Sequence, residues 1–347
     1  MIQNIITKLV DGKNLTFQEA NNTFGEIFDQ KVSPAQIASF LTALKIKGET
    51  ETEISAAATV VRKRANKIKV YNGFLGIEDE YKEVLDTCGT GGSGVNKFNI
   101  STAVAFVVAA SGVKVAKHGN KAMSSGCGSA DVLEKLGVKI DTKTEIMEKA
   151  INEIGIGFLY APLYHPALKT VAEVRKQLKI RTIFNILGPL SNPAFANFQL
   201  LGVYSSELVL PMAKVLKQLG VQRALVVFGK DLKDEISLTG PTKACFLNKS
   251  RIKKMNLSPR DFGLKKIKLE EIASDSPANS AKVIKDILAG KKGPTRDIVL
   301  ANAAACFYIL AKVKDFKSGV IKAAAILDSK KAMNLLEKFK KFLDKNA

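Results

Sequence analysis

The segment from Asp86 to Gly137, DTCGTGGSGVNKFNISTAVAFVVAASGVKVAKHGNKAMSSGCGSADVLEKLG, restricts the fold more than any other stretch. A short apolar run, Glu83-Val84-Leu85, reads as a strand, breaks into Gly89, Gly91, Gly92 and Gly94, and enters an apolar helix near Asn99. Strand, glycine loop and helix N-terminus in that order place backbone N–H groups around an anion, with the helix dipole behind them. No Asp or Glu occurs between Thr87 and Ala130, whereas Lys97, Lys114, Lys117 and Lys121 all do. The segment is composed for phosphate.

GTGGSG also matches the dinucleotide fingerprint G-x-G-x-x-G, which requires an acid about 20 residues on to hold a ribose hydroxyl. The next strand-like run, Val113 to Lys117, ends in lysine, and the first acid after the loop is Asp131. That argues against a nicotinamide cofactor. A Walker A loop fails too, because no Gly-Lys-Ser/Thr closes it. A ligand-free turn accounts for one or two glycines better than for four ahead of a helix.

The chain of 347 residues is long enough for two domains, or for one large α/β domain with an appendage. The N-terminus lacks the apolar core of a signal peptide and no apolar run is long enough to span a bilayer, so no membrane partner is expected. Cys88, Cys127, Cys245 and Cys306 form no C-x-x-C, and with only His118 and His165 beside them they suggest reduced thiols in a cytoplasmic protein, not a zinc site. The net charge of +20 is spread from Lys8 to Lys345, and no aromatic-interleaved RNA motif accompanies it. This fits a solvated surface with enrichment around a small polyanion better than a nucleic-acid footprint.

Three capping boxes, Thr16–Glu19, Ser33–Gln36 and Thr50–Glu53, predict short helices within residues 1–66, with Gly48 ending one of them. Beyond Tyr71, strand-like runs (83–88, 113–117, 157–161, 198–204, 223–228) alternate with helical patterns (99–111, 130–136, 144–154, 207–219), as in a mainly parallel sheet covered by helices. Residues 235–238 and 244–247, around Gly240-Pro241, read as extended pieces of an antiparallel edge. Helices over 278–289, 296–310 and 317–343, the last in two pieces, complete the chain. The segment 165–194 breaks the alternation: Pro166 opens a helix with Val171, Val174 and Leu178 as its apolar stripe. Arg175, in that helix, is either a surface charge or a carboxylate binder.

These residues carry a resemblance. GTGGSGVNKFNIST, VAKHGNKAMSSGCGSADVLEKLG, HPALKTVAEVRKQLKIRTIFNILGPLSNPA, DEISLTGPT and RDIVLANAAA, with VSPAQIASFLTALKIKGETETEI near the start, resemble the anthranilate phosphoribosyltransferase family in the family's order. The resemblance implies a small helical domain (1–73 with about 165–195) on a large α/β domain (74–164 and 196–347), an architecture shared with pyrimidine nucleoside phosphorylases. It also implies a homodimer formed through the small domain, Mg²⁺, and transfer of phosphoribosyl from phosphoribosyl pyrophosphate to the amino group of anthranilate.

The same resemblance assigns roles. Gly89, Thr90, Gly91 and Gly92 would cradle pyrophosphate through backbone N–H groups, extended by Asn99, Ser101 and Thr102. Lys117 would neutralise phosphate with Ser129 as a hydroxyl partner. Asp234 and Glu235, with Ser101, would hold Mg²⁺, and Gly89, Asn120 and Arg175 would bind anthranilate. No residue is expected to act as a strong acid or base, His118 included. Three positions depart from the family's pattern: Ser93 in place of the usual acid, Lys121 in place of arginine, and Cys127 in place of a small hydroxyl residue. Ser93 is expected to leave activity intact but to alter its Mg²⁺ dependence. Two rivals are a nucleoside phosphorylase on the same fold and a relative turned to nucleic-acid binding; Arg175, FNILGPLSNPA and DEISLTGPT oppose the first, and Asp234, Glu235, Asn120 and Arg175 the second.

Overall fold

The computed structural model describes residues 2–71, 83–122 and 127–346. The expected domain boundary at 73/74 and the MSSG part of the Asp86–Gly137 segment lie outside them. Four helices open the chain: α1 (Ile2–Val10), α2 (Phe17–Phe28), α3 (Pro34–Lys47) and α4 (Glu51–Arg64). The last three begin at the expected capping boxes, where Thr16, Ser33 and Thr50 accept from the backbone N–H three residues on and the Glu or Gln there reaches back. Each cap of this kind is worth about 1 kcal/mol. Glu53 is fully buried, with Oε1 accepting from Leu15 N at 2.9 Å and Oε2 from Lys47 Nζ at 2.9 Å, so one carboxylate ties three parts of the bundle together.

The strands are β1 (Val84–Gly89), β2 (Lys114–Gly119), β3 (Ile156–Tyr160), β4 (Phe198–Gly202), β5 (Arg223–Gly229), β6 (Thr242–Asn248) and β7 (Arg251–Leu257). They form one sheet in the order β3-β2-β1-β4-β5-β6-β7, parallel from β3 through β5 and antiparallel at β6 and β7. The chain runs outward from β1 to β3, then returns to place β4 on the other side of β1. This reversal makes β1/β4 a topological switch point, and ligands of open α/β sheets bind at the carboxyl ends of strands there. Gly89 and Gly202, the last residues of β1 and β4, are paired across it.

The antiparallel edge is real but differs from expectation. Residues 235–238 belong to the irregular β5–β6 connection: Asn302 pins them, accepting from Ile236 N at 3.1 Å and donating to Ile236 O at 3.1 Å, which removes those groups from any ladder. The edge strand is instead β7, RIKKMNL, whose lysines keep it solvated and hide its strand pattern.

Two apolar cores flank the sheet. One packs α5 (Ile100–Ala109) and the helix Pro294–Ile309 against one face. The other runs continuously from α1–α4 through Val171, Val174, Phe184 and Leu187 to Leu201 and Val226 on the opposite face. Phe24 meets Phe40 and Phe184 edge-on, with ring centroids 5.4 and 6.2 Å apart, so the excursion after β3 packs into the helical bundle.

Candidate active site

At the switch point the β5–β6 connection crosses the paired glycines. A Cβ on Gly202 would lie 1.8 Å from the Asp234 carbonyl oxygen, and one on Gly89 would lie 2.9 Å from Asp234 Oδ2. Gly202 needs to be glycine because the backbone of Asp234 approaches that closely, whereas at Gly89 it is the Asp234 side chain that comes near. Thr90 fastens the start of the loop, its N–H donating to Gly202 O at 2.9 Å and its Oγ1 accepting from Tyr204 N at 3.0 Å. Gly91 and Gly92 follow in left-handed conformations, with φ of 67° and 65°.

The loop ends at Asn99, the cap of α5. Its Oδ1 accepts from Thr102 N at 3.1 Å, Thr102 Oγ1 at 2.6 Å and Ser101 Oγ at 3.3 Å. Thr102 is fully buried, so it shapes the helix start from below. Lys117, in the second half of β2, is buried and donates to Thr87 O at 2.6 Å and Ser101 Oγ at 3.0 Å. Burial draws its pKa down, and the charges of Asp86 and Glu235 oppose that shift. Glu235 is buried beside it. Loss of hydration pushes its carboxyl well above the usual range, neighbouring Asp234 adds to the shift, and Lys97 and Lys117 oppose it. Asp234 itself is held by Lys97 at 2.7 Å. Two adjacent carboxylates with a serine hydroxyl form a hard oxygen set of the kind a magnesium ion shares with substrate phosphates. Among the described residues no group of three or more His, Cys, Asp and Glu is arranged to hold a metal ion.

Asn120 and Ser129 meet where β2 runs out. The Asn120 carbonyl accepts from Ala130 N at 3.2 Å and from Ser129 Oγ at 3.5 Å, and its Oδ1 accepts from Lys121 N at 2.8 Å. Across the excursion, Arg175 lies in the helix Lys169–Leu178 with its guanidinium 5.5 Å from the centre of the Phe184 ring. It is half-buried, burial lowers its pKa, and among the described residues it makes no ion pair. A desolvated, unpaired guanidinium favours the carboxylate-binding alternative over a free surface charge. The His118 and His165 rings are 5.0 Å apart, and His118 Nδ1 lies 3.0 Å from Gly188 O. Burial depresses their pKa values to about 3 and about 4, leaving both imidazoles neutral at pH 7.

Three residues of this region lacked an assigned role in the sequence. Arg181 donates to Gly92 O at 2.7 Å and stacks 4.4 Å from the Tyr204 ring centre, clasping the glycine loop from the excursion. Its signal was only a basic residue shortly before a rigid turn. Lys97 was visible as one of the loop's lysines but not as the partner of Asp234. Asp86 is fully buried, accepts from His118 N at 3.2 Å, and burial raises its carboxyl to about 6; it looked like an ordinary strand residue.

The α/β domain of the glycosyl transferase family matches residues 81–333, and that family's helical bundle domain matches residues 3–65. An anthranilate phosphoribosyltransferase from a Geobacter species is 48% identical over 97% of both chains. A crystal structure of the Thermus thermophilus anthranilate phosphoribosyltransferase superposes with a TM-score of 0.90 at 40% identity, covering 98% of this chain and 99% of that one. The Saccharomyces cerevisiae enzyme in complex with PRPP and Mg superposes at 0.89 with 29% identity, covering 99% of this chain and 98% of that one.

Proposed function

This chain belongs to the anthranilate phosphoribosyltransferase family, and from that premise we infer that it transfers phosphoribosyl from phosphoribosyl pyrophosphate to the amino group of anthranilate. The products are N-(5-phosphoribosyl)anthranilate and pyrophosphate, in tryptophan biosynthesis. The observation that carries the reading is the pair Gly89 and Gly202 at the β1/β4 switch point with Asp234 laid across them.

The amine of anthranilate is neutral at pH 7 and its lone pair needs no strong base. An N–C bond forms as the C1–O bond breaks, pyrophosphate leaves with the electron pair, and the nitrogen loses a proton. What the protein supplies is orientation and charge stabilisation. Backbone N–H groups of Gly89, Gly91 and Gly92, with Asn99 and Ser101 at the helix start, receive the pyrophosphate; Thr90, whose N–H is bonded to Gly202 O, and the buried Thr102 were expected to join them but hold the loop and the cap from behind. Lys117 contributes fixed positive charge from behind the loop, and Ser129 a hydroxyl. Gly89, Asn120 and Arg175 receive anthranilate, with the Arg175 fork on its carboxylate. The residues fit a magnesium ion: Asp234, Glu235 and Ser101 would hold it, and it would neutralise charge on the leaving pyrophosphate. The elevated Glu235 pKa supports this fit, because a divalent cation restores the ionised form of crowded carboxylates.

Residues 1–73 with 165–195 form the anthranilate-side domain and the dimer contact, and 74–164 with 196–347 the donor domain. The enzyme works in the cytoplasm on small molecules, without nucleic acid. Anthranilate fluorescence tests the reading: it should fall on addition of phosphoribosyl pyrophosphate and Mg²⁺, and EDTA should stop the fall. No loss of fluorescence from folded protein would overturn it.

A further inference from the structure

Lys97 closes the glycine loop with a side chain only 9% exposed. Its ammonium donates to Asp234 Oδ1 at 2.7 Å, Leu232 O at 3.1 Å and Ser93 Oγ at 3.3 Å. An ammonium has three N–H groups, so these oxygens use all of them and none is left for a phosphate. The acceptors come from two separate loops. Ser93 belongs to the glycine loop, whereas Leu232 and Asp234 belong to the β5–β6 connection that crosses the strand ends. The ammonium therefore joins the two loops through an oxygen cage, as a bound metal ion would, and it does so with a charge fixed to the chain. Ser93 is neutral, so within this cage the Lys97 charge is balanced by Asp234 alone.

We propose that Lys97 is a resident cation of the donor site: its ammonium takes the place of a divalent ion on the loop side of Asp234. A divalent ion then binds only together with the donor's phosphates. The proposal rests on the reading of Asp234 as a metal-side carboxylate. It makes Lys97 a positioning residue that sets how Asp234 is presented, since its N–H groups are directed at protein oxygens.

The protein without substrates should have little affinity for a divalent ion, because its best-placed carboxylate is already neutralised and the ammonium repels a second cation. The test is Mn²⁺ alone, titrated into substrate-free protein while the spin-resonance signal of free Mn²⁺ is followed. Lys97→Met, which keeps the length of the side chain without its charge, should bind Mn²⁺ at least about tenfold more tightly than wild type. Lys97→Arg, which restores the charge, should bind as weakly as wild type. Circular dichroism establishes that each variant is folded. Should Lys97→Met not fold, Lys97→Gln, which keeps a hydrogen-bond donor, is read instead, with the same expectation. Equal Mn²⁺ affinity in the charged and neutral variants overturns the proposal, as does wild-type binding as tight as that of the neutral variant.

Anthranilate turnover is measured separately on wild type. Tightened Mn²⁺ binding without turnover would defeat the assigned reaction and leave the resident cation standing. Turnover with unchanged Mn²⁺ binding would do the reverse.

Discussion

The donor and acceptor sides of the site are finished to different degrees. On the donor side the polar atoms are committed within the protein: Asn99 Oδ1 takes three donors, the Lys97 ammonium spends all its N–H groups, and Lys117 is held by Thr87 and Ser101. On the acceptor side, among the described residues, His118 Nε2, both ring nitrogens of His165 and Thr182 Oγ1 are buried without a protein partner, and Arg175 has no ion pair. Asp86 Oδ2 is the donor side's exception, on a carboxylate that reaches over to His118. A buried unpartnered polar group costs about 1–3 kcal/mol and is kept where function uses it. The donor side is thus a preorganised charge scaffold that need not rearrange during reaction. The acceptor side is completed by what binds to it.

The comparison is broken most easily at its scaffold. Lys117→Met should lower kcat/KM roughly a thousandfold, read from anthranilate fluorescence, with the larger share in the donor terms. A loss confined to anthranilate KM would assign Lys117 to the wrong side. Next in size, Gly202→Ala places a methyl against the Asp234 carbonyl and should cost about 3 kcal/mol in urea unfolding. An unchanged midpoint would mean that the β5–β6 connection is free to move off the strand ends.

The two neutral imidazoles give a smaller, pH-dependent effect. Their folded pKa values, about 3 and about 4, lie below the unfolded value of about 6.5, so the unfolded state binds more protons in that interval. Their contribution is intact above pH 6.5 and is lost as pH falls through the window, by up to about 1.4 kcal/mol per unit per imidazole. Asp86 and Glu235, with raised values, act in the opposite sense. The quantity to measure is therefore the difference in unfolding free energy between wild type and the His118→Asn/His165→Asn variant at pH 5 and pH 7. Relative to wild type, the variant should gain on acidification, and a constant difference would contradict the burial of neutral rings. Smallest of all, Thr182→Val should change stability by less than about 1 kcal/mol, because its hydroxyl has no partner to lose. A large destabilisation would place Thr182 with the committed atoms.

Much of this was legible in the sequence because the signals are local. Capping boxes at Thr16, Ser33 and Thr50, the glycine run, and alternating strands and helices depend on neighbours within a few residues. The β7 strand was hidden by its lysines, and residues 235–238 were misread because Asn302, more than sixty positions away, takes their backbone bonds. The same limit applies to the site. Gly89 and Arg175 carry recognisable types, but the hold of Lys97 on Asp234 and of Arg181 on Gly92 exists only after distant loops meet at the strand ends.

The division between a fixed donor side and a ligand-completed acceptor side is tested most directly by steady-state kinetics of Arg175→Ala against wild type, with each substrate varied in turn. The account predicts that the KM for anthranilate rises at least about tenfold while the KM for phosphoribosyl pyrophosphate stays within about twofold. An equal rise in both, or a rise in the donor KM alone, would contradict it.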